Sequence, residues 1–473
     1  MSSPEHSQPF DPESAGQHGL PMVSRQNPEV LRQERERLAA LAREPLGRRI
    51  LVFLGLSGPG WLQGAMTLGG GSAASSLLAG SLFGYQLLWV QPFAMLLGIV
   101  MLNALAYQTL STGMRPFAAV KKYVHPAAAW GWALCSLLAS IVWCFPQYNL
   151  AHSVIADMGA QVNVQISPLI SGLGILVLTT AITWNYNSGS VGMRLYENIL
   201  KAMVGVVVVS FAAVTFRTGV DWSAVANGFF GFHIPESTKG REVVISAFAT
   251  AVGINMTFLL PYTLLARGWG REHRQLARFD LSTGLFIPYV LATSFIIIAS
   301  ANMLHSTYAA DPSLKPPGAV DLAKALDPLV GPVLSHWVFG AGILGMTLST
   351  IPLLMLVCGF IAVEVLGVSP TGWGYRIATL LPAPAFLGPI IWGKLQFWMA
   401  VPTSVFGFLL LPVAYISFLV LQNRRDYLGD DTPTGTSRLI WNSALGLAVL
   451  VVTGGGIFQL YKTIPTLLQG APR

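Results

Sequence analysis

Residues 58–80 read GPGWLQGAMTLGGGSAASSLLAG, and residues 246–270 read SAFATAVGINMTFLLPYTLLARGWG. Each lies in an apolar run long enough to cross a hydrocarbon core of about 30 Å, and each is interrupted near its middle. In the first, Gly69, Gly70, Gly71 and Ser72 stand together. Three consecutive glycines weaken a helix by about 1 kcal/mol each relative to Ala. They also expose carbonyls that lipid cannot satisfy, so such a break is tolerable only against protein or a wet cavity. In the second run, Gly253, Asn255 and Thr257 cluster, and Pro261 deprives the Thr257 carbonyl of its intrahelical partner.

The surrounding chain places both runs in a bilayer. Of 473 residues, 53% are hydrophobic and only 10% are charged, against about 25% charged in an ordinary soluble domain. Apolar stretches recur from residue 50 onward with no polar linker between them. Hydropathy gives eleven spans, at roughly 50–81, 84–110, 127–159, 167–184, 195–216, 243–266, 281–303, 331–367, 375–393, 397–421 and 438–461. The eighth is too long for one straight span and includes a lead-in before Phe339. This is an all-α polytopic membrane protein. A soluble enzyme, a nucleic-acid binder and a disulfide-stapled secreted domain are excluded. Cys135, Cys144 and Cys358 lie inside apolar runs without CxxC spacing, and they read as small buried hydrophobes.

Residues 1–48 form a polar tail, expected on the cytoplasmic side, ahead of a transporter domain at 49–473. Within it, EVLRQERERLAALARE sets Leu31, Leu38 and Leu41 among alternating Arg and Glu. That pattern suits an amphipathic helix at the membrane surface or a solvated helix with i,i+4 ion pairs. With the N-terminus inside, 19 of the 28 Lys and Arg fall in inside segments and 8 in outside ones, with Lys201 within a span. This is the positive-inside pattern. The net charge of +7 therefore reflects topology and requires no nucleic-acid partner. The expected setting is the plasma (inner) membrane, the lipid bilayer being the partner and the chain a monomer.

The two interrupted spans are the first and the sixth, separated by five. That is the pattern of two five-helix repeats of inverted topology with a substrate site at the broken midpoints. Small residues that merely let helices pack closely would explain one cluster, but not the matched pair. The reading is a LeuT-type 5+5 inverted repeat with an eleventh helix appended. No HExxH, GxSxG, P-loop lysine or kinase motif is present, so the chain is read as no enzyme and no nucleotide-driven pump. No cofactor is expected; transport runs on an ion gradient or by facilitated diffusion.

Several motifs resemble those of the Nramp divalent metal transporters. They are GPG at 58–60, AG followed by FGYQLLWV within 79–90, RLYEN at 194–198, GAGILGMTLSTIPLLMLVCGFIAVEVLG at 340–367 and LLP at 410–412. The resemblance implies a metal site at the broken helices, yet this chain departs from the family there. The family's Asp-Pro-Gly-Asn corresponds to Gly69, Gly70, Gly71 and Ser72, and its Met-Pro-His to Met256, Thr257 and Phe258. The carried-over metal ligands are then Met256, Gly69, Ser72 and Gly253, with Asn255, Thr257 and Ser404 completing the substrate-binding set. A third-span acidic pair that carries protons in the family falls on Asn149 and His152, with Asp157 beyond them.

This donor set has no formal negative charge. Hard divalent ions want several oxygen ligands, usually with carboxylate charge, whereas sulfur and nitrogen suit softer metals. Three readings stay open from sequence: a metal ion, partly hydrated or helped by Asp157 or His152; a small organic solute filling the space left by the missing Asp; or a non-transporting transceptor. His152 is the expected proton carrier, since an ionisable residue at membrane depth is a functional hypothesis by default. Glu364 is expected to pair with a loop arginine, and the basic loop at 267–278 to set topology.

Overall fold

The computed structural model describes residues 28–41, 44–186, 190–311, 314–315, 317–370, 372–391 and 400–468. Residues 1–27, and the start of the tenth span expected at 397, lie outside them. The described residues form helices joined by turns, without strands.

α1 (Pro28–Leu41) precedes the membrane domain. The first span is built from α2 (Leu46–Leu56), α3 (Pro59–Thr67) and α4 (Gly70–Phe83). The second to fifth spans are α5 (Val90–Thr112), α7 (Pro126–Gln161), α8 (Pro168–Asn185) and α9 (Ser190–Thr218), with a short loop helix α6 (Pro116–Tyr123) after the second. The sixth span divides into α10 (Thr238–Ala251) and α11 (Ile254–Ala266). The seventh joins α12 (Arg274–Leu281) to α13 (Ile287–Ala310) through a π-turn at Ser282–Phe286. After α14 (Ala319–Pro332), a second π-turn leads into α15 (Phe339–Leu366), the eighth span. The ninth begins with α16 (Trp373–Thr379), the tenth is α17 (Ala400–Gln422) and the eleventh α18 (Gly435–Leu468).

Nine runs among the described residues are long and apolar enough to cross a membrane. The first and ninth of the eleven expected spans fall short of that test for a physical reason. Ser57–Gly58 and Leu68–Gly69 cut the first into pieces, and Ala383–Leu387 winds as a 3₁₀ turn within the ninth. The lead-in before Phe339 is the π-turn Val333–Val338. The second span starts at Val90 and not at 84, because Gly84 takes a positive φ of 59° and the chain turns until Trp89.

Inside the bundle, the sixth and eighth spans are the most enclosed, while the fourth and eleventh face outward. Close backbone approach explains much of the glycine content. A Cβ on Gly64 would lie 2.0 Å from the Gly284 carbonyl oxygen, and one on Gly80 would lie 2.3 Å from that of Ile297. The first span thus packs backbone to backbone on the seventh, as small residues permit in membranes.

At the end of the bundle that carries α1, the first span is pinned. The Asp280 carboxylate accepts the amides of Gly58 (3.2 Å) and Gly60 (2.7 Å). Arg267 pairs with Glu197 at 3.3 Å and donates to the Leu56 carbonyl at 3.0 Å, and Lys201 donates to that of Ser57. The GPG and RLYEN motifs therefore meet here. α1 docks on the loop after the sixth span, with Arg35 2.8 Å from Glu272 and Leu41 buried. Glu364 pairs with Arg115 at 3.0 Å, the loop arginine expected for it. All three cysteines are free.

Candidate functional site

The two helix breaks lie side by side. α3 ends at Thr67 and α4 starts after an extended Gly69 (φ −117°, ψ −174°). α10 ends at Ala251, with Val252 and Gly253 extended before α11. The Thr67 hydroxyl joins them, lying 2.8 Å from the carbonyls of both Thr250 and Ala251. Several carbonyls at the breaks accept hydroxyls. Ser72 donates to Thr67 (2.7 Å) and Gly69 (2.9 Å), while Ser349 and Thr350 of the eighth span each reach Ala65 at 3.1 Å. The Gly70 amide, first in α4, donates to Gln147 Oε1 at 2.8 Å. Backbone groups that lipid would leave bare are thereby satisfied within protein.

Between the breaks is a cavity of about 30 Å³, space for one or two waters. Of the expected site residues, Gly69, Ser72, Asn255, Met256 and Ser404 line it, joined by Thr67, Trp143, Gln147, Thr250 and Thr350. Gly253 sits just behind, roofed by Trp143, whose ring would be 2.2 Å from a Cβ there. Thr257 is not in the lining: its hydroxyl accepts Trp132 Nε1 at 2.9 Å and donates to the Ile254 carbonyl.

The protonation of these hydroxyls defines what the cavity offers. Thr67 and Ser72 donate across the breaks, Thr250 to Ser246, Thr350 to Met346 and Ala65, and Ser404 to Ala400. A hydroxyl has one proton and two lone pairs, so all five retain only acceptor capacity. Met256 Sδ accepts the Gly253 amide at 3.4 Å, which leaves its second lone pair. Asn255 Oδ1 takes the Met256 amide at 3.0 Å, and its buried Nδ2 has no partner among the described residues. No charged residue among those described lines the cavity. Among the described residues, no cluster of three or more His, Cys, Asp or Glu is placed to hold a metal ion.

Asn149, His152 and Asp157, the expected proton route on the third span, do not line the cavity. Gln147, His152 and Asp157 are five residues apart, about 7.5 Å of rise per step with the helix face changing each time. Gln147 meets the cavity. His152 Nδ1 is 2.8 Å from the Ser171 hydroxyl of the fourth span. The Ser171 hydroxyl also lies 3.0 Å from the Pro168 carbonyl. Asp157 lies 2.6 Å from His336 Nδ1 in the lead-in to the eighth span. The Asn149 side-chain amide is buried, and among the described residues neither of its atoms has a hydrogen-bond partner. Sequence reasoning missed His336, Gln147, Trp143 and Thr350. A polar Gln beside Pro146, and adjacent Ser349 and Thr350 within an apolar helix, were the available signals.

The profile of the Nramp proteins, described as natural resistance-associated macrophage protein-like, matches residues 60–459. The chain belongs to the Nramp family. The divalent metal cation transporter MntH of Caldanaerobacter subterraneus subsp. tengcongensis is 22% identical over 416 residues, covering 84% of this chain and 91% of the relative. A crystal structure of the Eremococcus coleocola manganese transporter, in complex with an aromatic bis-isothiourea substituted compound, superposes with a TM-score of 0.73 at 14% identity. It covers 91% of this chain and 90% of that one. The structure of MhsT with L-phenylalanine superposes with a TM-score of 0.54 at 16% identity, covering 84% and 98%. This Nramp chain thus has the LeuT-type fold read from its paired breaks, and it is an integral, multi-pass membrane protein.

Proposed function

We propose that this Nramp protein is a secondary transporter that moves a metal cation, divalent in charge, by alternating access. The ion binds between the two helix breaks. The single observation that carries this reading is the cavity of about 30 Å³ lined by Met256 and five hydroxyls left with only lone pairs. A small organic solute needs a pocket of several hundred Å³. An ion with a water or two fits, and the lone pairs of the Met256 sulfur and the five hydroxyls favour positive charge. Because the cavity contributes no carboxylate, dehydration of the ion is poorly offset. The site is therefore a weak one that selects by ligand softness and size.

In this reading Gly69, Ser72, Gly253, Asn255, Met256, Thr257 and Ser404 form the substrate region, Met256 being the soft ligand. Met256, Gly69, Ser72 and Gly253 are the metal-contacting set, with Gly69 and Gly253 acting through their backbones. Asn149, His152 and Asp157 belong to the proton route, in which His336 joins Asp157. The first and sixth spans rock against the rest, and inward opening requires release of the Asp280 contacts to the first span and of the Glu197–Arg267 pair. The protein acts as a monomer in the plasma membrane, its tail of residues 1–48 cytoplasmic and residues 49–473 forming the transporter domain.

Proteoliposomes loaded with a metal-sensitive dye test this over Mn²⁺, Mg²⁺, Ca²⁺ and Zn²⁺. Saturable influx of at least one ion is expected; absence of saturable flux for all four rejects a metal cargo. If His152→Gln leaves a pH-driven flux unchanged, the proton assignment fails while the cargo assignment stands.

A further inference from the structure

A recess of about 790 Å³ opens on the same membrane face as α1, away from the helix breaks. It lies between the loop helix α6 and the end of the eighth span, bounded by Arg115, Lys121, Lys122, Pro126, Glu364 and Val368. Its charge balance is one-sided. Glu364 is held by Arg115 at 3.0 Å and is nearly inaccessible. Lys121 and Lys122 are exposed, and among the described residues neither lies within ion-pair distance of a carboxylate.

The local sequence explains why the lysines stand here. α6 buries Phe117, Ala119 and Val120 against the bundle. Its last turn therefore presents Lys121 and Lys122 on the other side, where cations also suit the C-terminal end of the helix dipole. The helix lies between the end of the second span at Thr112 and the start of the third at Pro126, where a chain leaves and re-enters the hydrocarbon core.

A second, independent feature continues from the recess into the membrane. On the third span, Trp130, Leu134 and Leu138 are exposed at four-residue spacing, forming one outward stripe along the helix. Trp130 is one turn in from Pro126, where an amphipathic indole sits at the membrane–water boundary. A cationic recess above a continuous apolar track matches a molecule with a phosphate at one end and an acyl chain at the other.

We propose that this recess binds the headgroup phosphate of an anionic phospholipid, with Lys121 and Lys122 contacting the phosphate and an acyl chain lying on Trp130, Leu134 and Leu138. In the proposed orientation the lipid belongs to the inner leaflet. Each cation near an anionic membrane surface contributes about 1 kcal/mol, so losing both lysines corresponds to roughly a thirtyfold weakening.

The full chain in neutral detergent is unfolded by heat, followed by tryptophan fluorescence, while a short-chain phosphatidylglycerol is titrated in. A saturable rise in midpoint is expected, with no comparable rise from phosphatidylcholine of the same chain length. In Lys121→Gln/Lys122→Gln the half-saturating concentration should increase roughly thirtyfold. Arg424→Gln/Arg425→Gln, which removes equal charge from exposed positions elsewhere on that face, should stay within about threefold of the parent chain. All four positions are exposed, and equal lipid-free midpoints would verify that both variants fold. The proposal is overturned by no rise, by an equal rise with phosphatidylcholine or by an equal loss in the two double variants. The same rise with inorganic phosphate alone overturns it in favour of a soluble anion.

Discussion

Replacing Gly69 by Asp puts a carboxylate where the family resemblance expects one, and its effect is calculable from the cavity. The backbone at Gly69 (φ −117°, ψ −174°) accepts any L-residue, and the position is the N-cap of α4, where Asp is among the preferred residues. Space is the obstacle. A Cβ there would lie 3.1 Å from Nε2 at the end of the flexible Gln147 side chain, and 2.7 and 3.2 Å from Thr350 Oγ1 and Cγ2. Thr350→Ala clears both atoms, and the Ala65 carbonyl keeps its bond from Ser349. A carboxylate and a divalent ion about 4 Å apart attract by about 8 kcal/mol at an effective dielectric of about 20. Desolvating the carboxylate cancels several kcal/mol of that. A net gain of about 3 kcal/mol remains, which is roughly a hundredfold in Kd. Equilibrium binding of Mn²⁺ to purified Gly69→Asp/Thr350→Ala, compared with Thr350→Ala alone, measures it. If both proteins fold and their affinities agree within about threefold, the ion does not bind at the first-span break.

Two other perturbations separate the cavity from the face that carries α1. Met256→Ala should weaken uptake of the softer Mn²⁺ and Zn²⁺ more than that of Mg²⁺, since sulfur favours softer ions; equal losses in flux would remove sulfur from the ligand set. In the loop before the eleventh span, hydrogen bonds from Arg274 and Arg271 hold the Asp431 carboxyl below its ordinary range. A depressed folded-state pKa stabilises above the unfolded value of about 3.9, and that stability is lost as pH falls through the folded value. Asp431→Asn should therefore lower the unfolding midpoint at neutral pH and flatten its fall below about pH 4. An unaltered acid limb would show that Asp431 is not the group responsible.

The breaks were legible in sequence because glycines at 69–71 and 253 are local signals with local causes, whereas Pro261 lies inside the continuous α11 and marks no break. Their placement in the first and sixth spans then carried the repeat, and the fold with it. The partners of the freed carbonyls were not legible, and the hydroxyls show why. A Ser or Thr in a membrane helix can bond the carbonyl one turn back, as Thr250 does to Ser246 and Ser404 to Ala400. Nothing local distinguishes these from Thr67, Ser349 and Thr350, which also bond carbonyls on other helices. Likewise, the approach of His336 to Asp157 depends on a π-turn that no spacing rule announces.

Gln147 is the most informative of the residues that sequence reasoning passed over. Where a carboxylate is missing at the start of α4, a side chain 77 residues distant accepts the first amide of that helix. If Gln147 takes over part of the work of a helix cap, its value must depend on what occupies position 69. Gln147→Leu alone leaves the Gly70 amide buried and unpaired, a cost of about 2 kcal/mol. With Asp at position 69, the carboxylate accepts amides in the same first turn and its charge offsets the bared helix N-terminus. The cost of Gln147→Leu should then fall to about half. Unfolding midpoints in a denaturing-detergent titration close the cycle on the Thr350→Ala background, which both arms share. Additive losses would mean that Gln147 serves packing alone, and that this family member begins its fourth helix with no substitute for the absent carboxylate.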